Sequence, residues 1–333
     1  MSDTTDAEAS HPIEGLVRVV AVVGPTGVGK TALAEALALR LRGEIVSADS
    51  MQVYRGMDVG TAKPPADGRL VPYHCIDLVE PGEQYSAALY QRDARAAIAD
   101  IAARGALPVL CGGTGLYVRA ALDDWQFPVG DLVSASRCRY EALTADIGAS
   151  GLHALLAERD PASAALVHPN NTRRVVRALE MLDEGASYAS QSLGFSERRS
   201  VYDVAIVGLT MERAALYERI DSRVDAMLAD DLLDEVMRLL DAGYRTALTA
   251  TQAIGYKELV PVIEQRADLA EAAAAIKQAT RHYAKRQLTW FRADPRVLWL
   301  DVTELSPLQA EEAALALLQS TGAHAARPVR ADT

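Results

Sequence analysis

The stretch that most restricts what this chain can fold into is Gly24-Pro25-Thr26-Gly27-Val28-Gly29-Lys30-Thr31, which matches the phosphate-loop pattern G-x-x-x-x-G-K-[ST]. Its flanks carry two different periodicities. Val17–Val23 before it is a mostly apolar run of strand length. Thr31–Arg42 after it repeats Leu33, Leu37 and Leu41 at helical spacing. Strand, glycine-rich turn and helix in that order gather backbone N–H groups and the positive end of a helix around an anion. Lys30 adds a mobile charge, and the Thr31 hydroxyl is the expected Mg²⁺ ligand. A chance glycine-rich turn would not need both flanks. The loop leaves open which phosphate compound it holds and whether that compound is hydrolysed.

The rest of the chain continues the alternation. Glu44–Ala48 is a short strand ending in Asp49-Ser50, Met51–Pro65 a long polar loop, and Tyr73–Leu78 a further short strand. Ser86–Arg104 is an Ala-rich helix, capped by Ser86 and stopped by Gly105. Ala106–Cys111 is a strand running into Gly112-Gly113-Thr114-Gly115 and a helix through Ala121. This order predicts an α/β chain with a P-loop NTPase-like, doubly wound parallel sheet. Ligands of such sheets bind beyond the carboxyl ends of the strands, which gathers the phosphate loop, Asp49 and Thr114 about one crevice.

Pro128–Arg199 has no strand pattern and reads as helices broken by turns. The sheet resumes at Val201–Leu209, followed by helices over Glu212–Ala242 and Glu271–Arg292 and a last strand, Val297–Asp301. The expected organisation is a discontinuous catalytic core, 16–127 and 201–320, a helical insertion domain, 128–200, and disordered tails, 1–12 and 321–333.

Composition limits the partners. A net charge of −11 over 333 residues argues against gross attraction to nucleic acid or membrane, so any RNA contact needs a local patch. Cys75, Cys111 and Cys138 are odd in number and widely spaced, which fits a reducing cytoplasm with no disulfide framework or structural zinc. No secretory signal and no span-length apolar run is expected.

Phosphate-loop enzymes that cleave nucleoside triphosphates place a Mg²⁺-holding Asp after a later strand. Here Leu107–Cys111 ends in Gly-Gly-Thr-Gly instead. That favours a loop gripping a diphosphate leaving group, with Thr114 at the bridging oxygen where charge develops; a plain tight turn is the alternative. Asp49 suits a general base, or a Mg²⁺ ligand through water; a turn or cap Asp is its commonest other use. Lys277, Arg281, Lys285, Arg286 and Arg292 lie in an acid-free segment with Tyr283, Trp290 and Phe291 interleaved. It reads as a nucleic-acid patch or as one solvated helix face. Arg173, Arg174 and Arg177 form a second cluster with the same two readings. Arg219 and Arg223 share a helix face, as a surface pair or a diphosphate clamp. His74, His153, His168 and His282 show no metal-ligand spacing.

Taken together, GPTGVGKTALA, SADSMQVYRGMDVGTAKP, CGGTGLY, HPNNTRRVVRALE, LYERIDSRVDAML, AIGYKEL and AKRQLTWFR resemble the bacterial tRNA dimethylallyltransferases, over roughly residues 17–300 and in the family's order. The resemblance implies transfer of a dimethylallyl group from its diphosphate to N6 of the adenosine 3′ of the anticodon, position 37, in tRNAs reading codons that begin with U. Mg²⁺ is the implied cofactor. By the same resemblance the loop Gly24, Pro25, Thr26, Gly27, Val28, Gly29, Lys30 and Thr31 binds the prenyl diphosphate, with Arg223 and, less directly, Arg219. Asp49 is the general base, Thr114 the transition-state stabiliser and Thr31 the Mg²⁺- and phosphate-binding threonine. Asp49, Ser50, Met51 and Gln52, Arg137, and Arg173, Arg174, Val175, Val176 and Arg177 match tRNA-contacting positions, to which the basic segment adds Lys285 and Arg286. The expected partners are a tRNA anticodon stem-loop and dimethylallyl diphosphate, for a cytoplasmic monomer off the membrane. The stretch Asp123–Ser134 matches the family poorly. Competing readings are a small-molecule kinase of the same fold, an adenylate isopentenyltransferase, and an RNA-binding module with a relic loop.

Overall fold

The computed structural model describes residues 15–127, 134–244 and 249–320. The predicted tails, 1–12 and 321–333, therefore lie outside the described residues. Six parallel strands form one sheet: β1 (Arg18–Val23), β2 (Gly43–Ser47), β3 (Tyr73–His74), β4 (Leu107–Gly112), β5 (Asp203–Thr210) and β6 (Val297–Asp301), in the order β3-β2-β4-β1-β5-β6. The chain leaves β1 towards β2, on one side, and leaves β4 towards β5, on the other. Right-handed crossovers then send the two connections to opposite faces, which opens a crevice at the carboxyl ends of β1 and β4.

Helices cover both faces. On one, α1 (Lys30–Leu41) buries Leu33 and Leu37 against Val20, Val22 and Val109. The same core takes in Leu216 and Ile220 of α8 (Arg213–Ala229) and Ala314 and Leu318 of α12 (Pro307–Ser320). On the other, α2 (Ala87–Ala103) and α3 (Gly115–Leu122) bury Tyr90, Ile98 and Ile101 against Tyr117, Val118 and Leu122. Tyr90 and Tyr117 stack at 4.0 Å between ring centroids. The Ser86 side chain caps α2 as expected, accepting from Leu89 N–H at 3.2 Å.

The residues of Asp123–Arg199 form a compact unit of their own, and the chain before and after them forms the other. That helical unit holds α4 (Ala135–Arg159), α5 (Pro161–Leu166), α6 (Thr172–Asp183) and α7 (Tyr188–Ser196). Gly148, at φ 72°, kinks α4. Its core is Tyr140, Leu152, Leu156, Val167, Val175, Val176 and Leu179.

Some elements depart from the sequence expectation. The strand from Tyr73 stops at His74 because Cys75 and Asp77 take left-handed backbone. The long helix expected over Glu212–Ala242 is two. α8 ends where Asp230 leaves helical geometry, and α9 (Leu232–Asp241) starts after Asp231; adjacent Asp side chains compete with the helical backbone. Two helices were not expected. α10 (Tyr256–Ile263) follows Gly255, whose N–H donates to Glu258 at 2.8 Å, and α12 closes the sheet's first face. α11 (Leu269–Arg292) starts two residues before the expected point, capped by Asp268.

Candidate active site

The phosphate loop joins β1 to α1 and needs its glycines. A Cβ on Gly24 would sit 2.6 Å from the Leu209 carbonyl oxygen, and Gly29 has φ +102°. Lys30 Nζ donates to Pro25 O at 2.7 Å, folding back over its own loop. Burial pulls the ammonium down to about 8; the Asp49 carboxylate opposes that and the Arg223 guanidinium reinforces it. Burial also lowers Arg223, again opposed by Asp49. The two cations and the carboxylate are thus close enough to feel one another across the crevice.

β2 delivers Asp49. Its Oδ1 accepts from Met51 N–H at 2.9 Å, so the turn reading of this Asp holds alongside its place in the site. β4 delivers Thr114, whose N–H donates to Ala48 O at 3.2 Å. Thr114 Oγ1 accepts from Ser50 N–H at 3.1 Å and donates to Ser50 Oγ at 3.3 Å. Gly112 is obligatory here, because a Cβ would lie 2.2 Å from Ala48 O. The Gly112–Gly115 turn therefore locks the ends of β2 and β4 together, with the Thr114 hydroxyl engaged by Ser50, which lines the larger cavity.

Two adjoining cavities share Thr26, Asp49, Thr61, Arg223 and Tyr283. The larger, about 410 Å³, is lined by apolar Ile220, Val224, Met227, Leu232, Ile254 and Ile276 together with Asp49, Ser50, Met51, Tyr283 and Arg286. The smaller, about 80 Å³, is the phosphate pocket proper, with Thr26, Lys30, Thr31, Asp49, Gln52 and Gln287 in its wall. Outside it an open cleft of about 830 Å³ runs past Gly27, Gly29, Thr31 and Pro64 to Arg219 and Arg223. Thr31 and Asp49 are among the oxygen-bearing side chains that line the small pocket. Among the described residues no group of three His, Cys, Asp or Glu side chains is placed to hold a metal. A cation held there would take most of its ligands from phosphate and water, a donor set that would suit Mg²⁺.

Several residues that build this site were not singled out from the sequence. Gln287, on α11, is 5 % exposed. Its Oε1 accepts from Thr26 N–H at 2.8 Å and its Nε2 donates to Gly113 O at 2.9 Å. Tyr283, named from the sequence only as an aromatic of the basic segment, stands one helical turn earlier beside Thr114 and Gln287; burial, with Asp49 adding to it, pushes its phenol up to about 12. The long loop is held from α9, where buried Glu235 accepts from Asp58, Val59 and Gly60 N–H groups at 2.9, 2.8 and 3.2 Å and from Tyr256 Oη at 2.6 Å. Buried Lys63 bridges Asp58 and Asp77 beneath it.

The cationic expectations need correction. Lys277 pairs with Asp225 and Arg281 with Asp221, each at 2.6 Å, because α8 supplies the acids that the segment itself lacks. Lys285, Arg286 and Arg292 are exposed and make no ion pair among the described residues; Arg286 also lies over the Tyr283 ring at 5.6 Å. Arg219 and Arg223 both line the open cleft outside the phosphate loop, and Arg223 also lines the small pocket. In the helical unit, Val175 and Val176 are core residues, so their side chains offer RNA nothing. Arg137 and Arg177 both pair with buried Glu180 at 3.0 Å. Arg173 and Arg174 are exposed, without ion pairs among the described residues.

The lowered Lys30 pKa makes a prediction. Its positive charge is present below about 8 and is lost above it. Affinity for a diphosphate ligand should therefore hold up to that pH and weaken beyond it, by roughly tenfold per lost charge-assisted contact. Titration calorimetry across pH 6.5–9.5 checks this, and Lys30→Arg should remove the step.

Comparison with known proteins agrees with this geometry. The family model for IPP transferase matches residues 52–294, and that for isopentenyl transferase matches residues 17–70. The tRNA dimethylallyltransferase of Geobacillus thermodenitrificans is 50 % identical over 289 residues, covering 86 % of this chain and 91 % of its own. The enzyme of that name from Roseiflexus sp. is 50 % identical over 305 residues, covering 90 % and 98 %. Crystal structures match as well. The tRNA isopentenylpyrophosphate transferase of Bacillus halodurans aligns with TM-score 0.66 at 43 % identity, over 92 % of this chain and 98 % of its own. A eukaryotic dimethylallyltransferase described as acting on tRNA aligns with TM-score 0.77 at 28 % identity, over 95 % and 81 %. The phosphate loop, the Asp49 crevice and these matches along most of its length place the chain in the IPP transferase family, that of the tRNA dimethylallyltransferases.

Proposed function

We propose that this protein transfers a dimethylallyl group from dimethylallyl diphosphate to N6 of adenosine 37 in tRNAs reading codons that begin with U. One observation carries the reading: the phosphate pocket adjoins, through shared Thr26, Asp49, Thr61, Arg223 and Tyr283, a cavity whose lining combines a set of large apolar side chains with Asp49. A triphosphate-cleaving site has no use for those apolar side chains, and β4 ends without the acid such a site needs. In this reading the C1–O bond of the allylic diphosphate breaks as N6 bonds to C1. Lys30, Arg223 and the loop N–H groups take up the negative charge left on the departing diphosphate. The Asp49 carboxylate accepts the N6 proton, and the Thr114 hydroxyl, held by Ser50, faces the bridging oxygen. Mg²⁺, held through Thr31 and the diphosphate, supplies further positive charge when bound.

The acceptor is read as RNA because Lys285 and Arg286 stand exposed beside the cavity, and Arg173 and Arg174 are exposed on the helical unit. A loop nucleotide turned out of its stack suits a site this deep. The helical unit is read as the tRNA-gripping domain, the protein as a monomer, and its compartment as the cytoplasm; no described helix is long and apolar enough to cross a membrane. Lys285→Glu with Arg286→Glu should weaken tRNA binding at least tenfold and flatten its salt dependence by about two charges. Filter binding over a salt series checks this, and unchanged affinity would reduce the patch to a solvated face. The activity itself is tested by incubating labelled dimethylallyl diphosphate with unmodified tRNA, AMP or neither, and locating the label.

A further inference from the structure

The phosphate loop is not wholly available to an anion. Thr26 N–H donates to Gln287 Oε1 at 2.8 Å, whereas the N–H groups of Gly27 through Thr31 have no protein partner among the described residues. A loop of this kind binds phosphate through its row of N–H groups. One end of the row is therefore occupied by a neutral carboxamide. Gln287 is not a loose surface chain: it is buried, and its Nε2 is spent on Gly113 O at 2.9 Å. It also meets Tyr283 one turn earlier on α11. The carboxamide lies in the wall of the small phosphate pocket, at the end where Thr26 stands.

We infer that Gln287 is a selectivity residue: it caps the Thr26 end of the phosphate loop, shortening the anion cradle so that it takes a diphosphate and rejects a triphosphate. The inference rests on the prenyl-diphosphate reading of the site and supplies its discriminator. A third phosphoryl group reaching the Thr26 end would meet the Gln287 Oε1 acceptor where the loop's Thr26 N–H is already taken. Discrimination then comes from unpaired polar groups facing the wrong ligand, which a site can exploit strongly. Such a cap accounts for a loop of nucleotide-binding type that holds a shorter phosphate chain with its lysine and threonine intact.

The test uses inorganic pyrophosphate and inorganic tripolyphosphate as probes, with Mg²⁺ present, on the full chain by titration calorimetry. Wild-type protein should bind pyrophosphate at least tenfold more tightly than tripolyphosphate. Gln287→Ala removes the cap and should narrow that preference about tenfold. Gly113→Ala approaches the same point from the other side: its Cβ would lie 2.1 Å from Gln287 Nε2, so the carboxamide must swing away. It should narrow the preference similarly, and it serves if Gln287→Ala shows no cooperative melting transition. Gln287→Met keeps the bulk but loses the carbonyl acceptor and both hydrogen bonds; it should also narrow the preference. A wild-type protein with no preference overturns the inference, as does a folded Gly113→Ala that keeps the full preference. Prenyl transfer to tRNA by the wild type, measured in parallel, separates the two failures: transfer without phosphate-length selectivity sinks only the role of Gln287, and absence of transfer sinks the functional reading itself.

Discussion

Asp49→Asn should lower single-turnover prenyl transfer by about 10²–10⁴-fold and leave tRNA affinity within about twofold of wild type. The substitution is nearly isosteric. The side-chain oxygen that accepts from Met51 N–H at 2.9 Å survives, so the turn joining β2 to the long loop survives with it. What is lost is the carboxylate able to take a proton from N6 as the new C–N bond forms. The Asn also leaves Lys30 and Arg223 without the negative charge that now favours their protonation. The pH dependence of diphosphate affinity should accordingly shift to lower pH in the variant. Rapid-quench measurement of product with enzyme in excess reads the chemical step apart from product release. An unchanged rate would remove Asp49 from the chemistry and leave it as a turn residue.

Lys30→Met should cost about 10²–10³-fold in the same step, the usual loss when one positioned electrostatic stabiliser is removed. The structure adds a second, opposite expectation for stability. Burial lowers the Lys30 pKa to about 8 from an ordinary 10.5, so the unfolded chain binds more protons between those values. By linkage, stability rises with pH across that window, and the charged lysine burdens the fold below it. Its side chain keeps some exposure, so the burden is on the order of 1–3 kcal/mol. Lys30→Met should therefore be as stable as wild type or more so at pH 7, and its stability should not rise between pH 8 and 10.5. A slower yet sturdier enzyme is the signature of a group kept for function at a cost to the fold. Thermal melts with and without pyrophosphate separate the two effects, because the ligand should stabilise wild type far more than the variant.

Much of the architecture was legible in the chain. The phosphate loop brought its own test, a strand before and a helix after, and the alternation that followed required a parallel sheet. The placement of Asp49 at a strand end beside the phosphate loop was legible because such sheets gather their strand ends about one crevice. Less legible were contributions from residues distant in sequence. Gln287 lies 261 residues from its partner Thr26, and no local pattern marks a helical Gln as a cap on a distant loop. Glu235 reads as a surface acid on an amphipathic helix until the long loop folds over it. The five-cation patch shrank for the same reason: acid-free sequence says nothing about acids on a neighbouring helix, and Asp221 and Asp225 neutralise two of the five. Val175 and Val176 were placed with the arginines beside them, yet successive helical residues face different ways and these two turn inward.

One measurement bears most directly on the central claim that the cradle holds a prenyl diphosphate for capture by an RNA amine. Purified protein, Mg²⁺, labelled dimethylallyl diphosphate and unmodified tRNA are incubated together, and the tRNA is digested to nucleosides. Label in a single N6-substituted adenosine next to the anticodon, with one diphosphate released per transfer, is the predicted result. Label in free AMP with none in tRNA, or ATP hydrolysis with no prenyl transfer, would contradict it.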